Sequence, residues 1–154
     1  MRVQQNKQGF TLVEIMIVVV IVGLLAVMAM PAFRKATENT RQTRFANDSR
    51  IFAGQIEVFS LENGHFPEDA SSGAMPEGLQ GYIAQTHWDD GPAIGGVWDV
   101  ETNDNGIQCA VGAHRYTMSE DQLLDFDQDF DDGDLATGKY RKLAGDRYYL
   151  IIQE

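Results

Sequence analysis

The tightest constraint on this chain is an apolar run close to its start. From Phe10 to Met30 the sequence reads FTLVEIMIVVVIVGLLAVMAM, and Glu14 is the single ionisable side chain in it. Gly9 and Pro31 bracket the run, and a leader containing Arg2 and Lys7 precedes it. At about 1.5 Å per residue, a helix of this length matches the roughly 30 Å hydrocarbon core of a bilayer. The expectation is a membrane-spanning helix with the basic leader on the cytoplasmic side, following the positive-inside rule. Glu14 is the anomaly. A carboxylate at the bilayer centre costs about 2.5–3.5 kcal/mol, less near an end, and marks a functional candidate.

A secretory signal peptide has a shorter apolar region, about 7–15 residues, followed by a small-residue cleavage site. Here the run is longer and is followed by Met30-Pro31-Ala32-Phe33. The small residue, Gly9, stands before the run. Cutting there would release the leader, keep the helix and leave a new amine on Phe10. The hexapeptide Gly9-Phe10-Thr11-Leu12-Val13-Glu14, after a short basic leader and before an apolar helix, resembles the processing signature of type IV prepilins and type II secretion pseudopilins. The resemblance covers roughly residues 1–62. It implies cutting after Gly9 by a prepilin peptidase, N-methylation of Phe10, and assembly into a homopolymer through an inner-membrane assembly platform. Gly23 and Pro31 stand where members of that family often carry helix-weakening residues.

A filament core of packed apolar helices is as dry as lipid, so Glu14 needs a partner in both settings. The freed Phe10 amine, on its own chain or a neighbour's, is the candidate. Removing one partner of a buried pair costs about 3–5 kcal/mol. Glu14 and Pro31 are therefore the candidate assembly residues beside the processing residues Gly9 and Phe10.

Beyond Pro31 the helical pattern changes character. Phe45, Phe52, Ile56 and Phe59 form one apolar stripe, flanked by Ala46 and Ala53, as an amphipathic helix requires. Asn63-Gly64 is a stop signal. One helix is expected from residue 10 to about 62, with a kink at Pro31, which removes a backbone bond; residues 23–31 are expected to be able to unwind in a filament. Residues 65–81, rich in Gly, Pro, Ser and Asp, read as a loop, and Trp88-Asp89-Asp90-Gly91-Pro92 as a turn. Residues 96–101 (GVWDVE) and 107–118 read as strands joined by an Asn-Asp-Asn-Gly turn at 103–106. Ser119 and Gln122 form a capping-box pattern, opening a short helix over 120–126. Residues 140–143 and 147–152 form a final hairpin around Ala144-Gly145-Asp146. The expected fold class is α+β: a long N-terminal helix on a small C-terminal antiparallel sheet, with a leader at 1–9, a membrane or filament-core helix at 10–31 and a globular domain at 32–154.

Charge is distributed unevenly. The whole chain carries −11, but residues 51–154 hold 5 basic against 20 acidic side chains, a net −15. Such a surface repels phosphate backbones, which argues against general nucleic-acid binding. Cys109 is the sole cysteine. No intrachain disulfide can form, a departure from many pilins, and a buried small hydrophobe is expected there. His65, His87 and His114 show no metal-ligand spacing and no nucleophile has an evident partner, so an enzyme is not expected. Trp88 and Trp98 read as core or interface residues.

The densest acid cluster is Asp125, Asp127, Asp129, Asp131, Asp132 and Asp134. Alternating carboxylates before a glycine suit an oxygen-rich Ca²⁺ loop. In that reading Asp127, Asp129 and Asp131 share one side of an extended loop. The match to an EF-hand is poor, but pseudopilins of the family often bind Ca²⁺ in a C-terminal loop, so the resemblance adds Ca²⁺ as a candidate ligand. The bland reading is a solvated loop, or one neutralised by Lys139, Arg141 and Lys142.

The expected role is that of a structural subunit of a type IV pilus or type II secretion pseudopilus, anchored in the inner membrane before assembly and part of a periplasmic or extracellular filament afterwards. A priming or tip subunit, and a monomeric membrane-anchored binding module, are the alternatives.

Overall fold

The computed structural model describes residues 9–104 and 106–154. The expected leader before Gly9, with Arg2 and Lys7, and the Asn105 position of the hairpin turn lie outside the described residues. The chain divides into two compact units, with the boundary between Asn39 and Thr40.

The first unit holds the start of α1, which runs over Leu12–Asn63. Helix begins two residues later than the apolar run because Thr11 caps it. It continues through Gly23 and Pro31 without a break in the helical assignment. The large apolar side chains from Leu12 to Phe33 are exposed, each by half or more. Among the described residues nothing covers this surface, and the segment is long and apolar enough to cross a membrane.

The second unit is Thr40–Glu154. Here α1 presents the expected stripe: Phe45, Ala46, Phe52, Ala53, Ile56 and Phe59 are buried. The helix ends where the sequence says. Gly64 takes φ +79° and its N–H bonds the Ser60 carbonyl at 2.8 Å, a left-handed cap that glycine adopts without strain. Four strands follow: β1 Val97–Asp104, β2 Ile107–His114, β3 Tyr140–Ala144 and β4 Arg147–Gln153. They form one antiparallel sheet in the order β1-β2-β4-β3. The final strand therefore lies between its hairpin partner and β2.

Alternation along the strands sets two faces. Trp98, Val100, Cys109, Val111, Ala113, Tyr140, Tyr148 and Leu150 join the α1 stripe in the main core. Phe45 is its hub. It stacks on Trp98 at 5.7 Å and meets the rings of Phe126, Tyr140 and Tyr148. Trp88 and Trp98 are both core residues, as expected. Cys109 is fully buried and its thiol is pushed up to about 12 by desolvation, which leaves it inert.

The opposite face carries buried charge. Asp99 and Glu101 are both buried. Tyr149 donates to Asp99 Oδ2 at 2.7 Å, Ser72 donates to the same oxygen at 3.2 Å, and Arg147 Nη1 meets Glu101 Oε2 at 2.7 Å. The loop after α1 runs along this edge: Gly73 N–H bonds the Trp98 carbonyl, and the Thr102 hydroxyl bonds the Pro67 carbonyl, each at 3.0 Å. Tyr149 packs against β2 at Gly112, where a Cβ would lie 2.5 Å from the Tyr149 Cα. Burial raises the affinity of Asp99 and Glu101 for protons above the ordinary carboxylate value.

Three local expectations need correction. Trp88 and Asp89 belong to a short helix, α2, over Gln85–Asp89, rather than to the turn that follows. Strand β2 stops at His114, not 118, because Arg115 takes φ +61° and turns the chain toward Ile94, whose carbonyl accepts from Thr117 N–H. Helix α3 covers Glu120–Phe130, four residues beyond the expected end.

Candidate functional site

Two places gather the residues singled out from the sequence. At the first, Gly9 and Phe10 precede the helix, and Phe10 is 84% exposed. The peptide bond expected to be cut is therefore accessible and outside regular structure. Glu14 is not left to itself. Its Oε2 accepts from the Thr11 backbone N–H at 2.8 Å and from the Thr11 hydroxyl at 2.7 Å. Glu14 N–H in turn bonds Thr11 Oγ1 at 3.3 Å. This is a reciprocal capping box, with Thr11 at the N-cap and Glu14 three residues on. It satisfies donors that a helix start leaves open, and it places the negative charge where the helix dipole favours it. The Thr-x-x-Glu spacing was present in the sequence, yet Thr11 was not among the candidates. Pro31 lies within α1 on the exposed apolar segment.

The second place is the acidic segment, and its geometry differs from the expected extended loop. Because α3 reaches Phe130, Asp125, Asp127 and Asp129 are helical. At about 100° per residue, positions two apart diverge by about 200°. Asp127 consequently turns inward and is fully buried, whereas Asp125 and Asp129 are exposed. The residues brought together are Asp127, Asp131 and Asp132, which can offer oxygens lying within 4.8 Å of one another. Asp134 stands apart from this group and accepts from Ala136 N–H at 3.0 Å.

Each of the three carboxylates is oriented by its own chain. Asp127 accepts from the Tyr148 hydroxyl at 2.6 Å and from Gly133 N–H at 2.9 Å. Asp131 accepts from Tyr140 N–H at 2.7 Å. Asp132 accepts from Asp134 N–H at 2.9 Å and the Thr137 hydroxyl at 2.7 Å. Burial raises the proton affinity of Asp127, and repulsion from Asp131 and Asp132 adds to it, while the Tyr148 and Gly133 hydrogen bonds oppose it. Asp132 moves the other way, held low by its Thr137 and Asp134 donors.

The basic residues considered as neutralisers are engaged elsewhere or unpaired. Arg141 pairs with Glu154 at 2.6 Å and Lys142 with Glu120 at 2.9 Å. Lys139 forms no ion pair among the described residues. Three carboxylates converging without a cationic partner among the described residues, all offering oxygen, fit a hard divalent cation such as Ca²⁺. The histidines are dispersed: His87 lies 3.2 Å from Asp48, and His114 lies 3.2 Å from Asp146.

Comparison with known proteins bears on the first place directly. The family described as the prokaryotic N-terminal methylation motif matches residues 4–30. The type II secretion system core protein G of Escherichia coli is 33% identical over 67 residues, covering 44% of this chain and 46% of that protein. The type IV narrow pilus major component PilA5 of Thermus thermophilus is 26% identical over 114 residues, 74% of this chain and 88% of that protein. The type IV major pilin protein PilE1 of Neisseria gonorrhoeae is 26% identical over 116 residues, 73% of this chain and 62% of that protein. The chain spans about half the length of the secretion-system relatives, 46% for the Escherichia coli protein and 53% for that of Klebsiella pneumoniae. No solved structure matches it.

Proposed function

We propose that the chain is a structural subunit of the type IV pilin and pseudopilin family, cut after Gly9, N-methylated on Phe10 and polymerised through the first half of α1; the methylation-motif match over residues 4–30 and the pilin and pseudopilin relatives support this reading. The observation that carries this reading is the start of that helix. An exposed Gly9–Phe10 peptide precedes the exposed apolar part of α1, residues 12–33, whose only carboxylate, Glu14, is already held at the helix tip. Processing would create a cation at Phe10, four residues from Glu14.

The capping box supports an order of events. Before assembly, Thr11 supplies two donors to Glu14, which offsets part of the cost of placing a carboxylate in lipid. The carboxylate keeps lone pairs for a further partner. In the filament that partner is a Phe10 amine, and pairing fixes the axial position of an incoming subunit. A membrane prepilin peptidase and an inner-membrane assembly platform are the partners this route requires. The precursor is a single-pass inner-membrane protein with a cytoplasmic N-terminus, and the product is a filament in the periplasm or beyond it.

Asp127, Asp131 and Asp132 are the residues proposed to hold Ca²⁺. The ion would supply positive charge between carboxylates that otherwise repel. Asp127 would tie the site to the core through Tyr148, and Asp131 would tie it to the start of β3 through Tyr140 N–H.

Glu14→Gln tests the filament reading, combined with the intact mass of the purified chain. The expected result is loss of residues 1–9 and gain of one methyl in the wild type, with Glu14→Gln inserting into membrane normally and yielding few filaments. Unchanged filament yield in that variant refutes the pairing. A mature protein that keeps its leader refutes the processing.

A further inference from the structure

Within the second unit, α1 holds a glycine that the fold of a single chain does not use. Gly54 lies mid-helix, where glycine is about 1 kcal/mol worse than alanine. It has no positive φ, and nothing lies within 4 Å of where its Cβ would be. Neither backbone strain nor internal crowding explains it.

What surrounds Gly54 points outward. Ile51, Gly54, Val58 and Leu61 fall within an arc of about 80° on the helix. Ile51, Val58 and Leu61 are 52%, 41% and 85% exposed. Beside them opens a groove of about 460 Å³, bounded by Arg50, Ala53, Gly54 and Glu57 on α1 and by Phe130 and Lys139 opposite. The Arg50 guanidinium lies 5.8 Å from the centre of the Phe130 ring, and Lys139 is exposed at the rim without an ion pair among the described residues. The groove thus brings together two cations, Arg50 and Lys139, and one carboxylate, Glu57, on a portion of chain whose residues 51–154 carry −15.

We propose that the Gly54 groove is a subunit contact, in which a second copy of this chain packs against the bare backbone at Gly54 and places acidic side chains beside Arg50 and Lys139. This rests on the filament reading and gives it a second contact beyond the α1 tip. One argument identifies the occupant. Copies this acidic repel one another, and an unpaired lysine beside an arginine is where a neighbour's carboxylates gain most. A missing side chain that lets backbones approach is a recurrent device for helix packing.

The test uses the full chain in cells that assemble it. Gly54→Leu fills the groove while favouring helix. Its melting temperature in detergent should equal or exceed the wild type, and its filament yield should fall about tenfold, equivalent to about 1.4 kcal/mol per contact. A photocrosslinking residue in place of Lys139 should give an adduct of twice the subunit mass in wild-type filaments, mapping to an acidic segment of the second copy. Wild-type yield from Gly54→Leu refutes the contact, as does an adduct only with lipid or another protein, and in both cases the filament reading stands. Absence of filaments from the wild-type chain removes the filament reading itself, and the contact with it.

Discussion

Replacing Tyr149 by Phe isolates one buried interaction on the far face of the sheet. The ring remains against Gly112; only the hydroxyl that donates to Asp99 at 2.7 Å is lost. A hydrogen bond to a charged group contributes about 1.5–3 kcal/mol, and a buried carboxylate left short of a donor bears that loss fully. Ser72 retains the same oxygen at 3.2 Å, too long to compensate. A deficit of about 2 kcal/mol at pH 7 follows, or about 8 °C in melting temperature for a cooperative unit of this size. The assay is near-ultraviolet circular dichroism of the purified full chain in detergent, which reports the aromatic core.

The pH dependence carries the stronger check. Burial raises the folded value of Asp99 and the Tyr149 hydrogen bond pulls it down. A raised folded value means that the folded state binds the proton more readily, so this group's contribution is full below its unfolded value and is lost as pH rises through the folded value. Without Tyr149 Oη the folded value rises further, and the variant gains more on acidification than the wild type. The deficit should therefore shrink from pH 7 toward pH 4, approaching the roughly 1 kcal/mol of a neutral bond. A deficit that stays constant over that range, or a melting loss below about 2 °C, refutes the reasoning.

Thr11→Val keeps the shape of the N-cap residue but removes its hydroxyl; losing the cap costs about 1 kcal/mol, and membrane insertion measured by glycosylation mapping should become less efficient while the Gly9 junction stays intact. Cys109, buried with its thiol raised to about 12, should resist a maleimide in the native chain and react on denaturation; rapid native labelling contradicts the burial. Millimolar Ca²⁺ should raise the melting temperature and chelator should reverse the rise; saturation at 100 times Kd corresponds to about 2.7 kcal/mol. Asp132→Ala should abolish that response and Asp125→Asn should keep it; an equal response in both variants contradicts the assignment to Asp127, Asp131 and Asp132.

Where a signal is local and periodic, it was legible. The Phe45, Phe52, Ile56 and Phe59 stripe, the Asn63-Gly64 stop, the Ser119–Gln122 box and the final hairpin all stand as expected. The acidic segment misled because aspartates at 125, 127, 129 and 131 alternate as a strand does. The helical signal in the same stretch was Phe126 and Phe130, four apart, and those rings stack at 4.8 Å. The Thr11–Glu14 box was hidden by reading Glu14 only as a charge in lipid. Asp99 and Glu101 alternate with Trp98 and Val100, which sends them to the second face of the sheet; that this face is covered follows from a loop about thirty residues earlier, which no pattern within the strand can announce. Insertion of β4 between β2 and β3 is likewise a tertiary choice.

A helical reconstruction of filaments formed by the mature chain, at a resolution that shows side chains, tests the central claim most directly. The account predicts the Glu14 carboxylate within ion-pair distance of a Phe10 amine inside a core built from the first half of α1. Filaments in which Glu14 has no partner but its own Thr11, or in which that half of the helix stays outside the core, would contradict it.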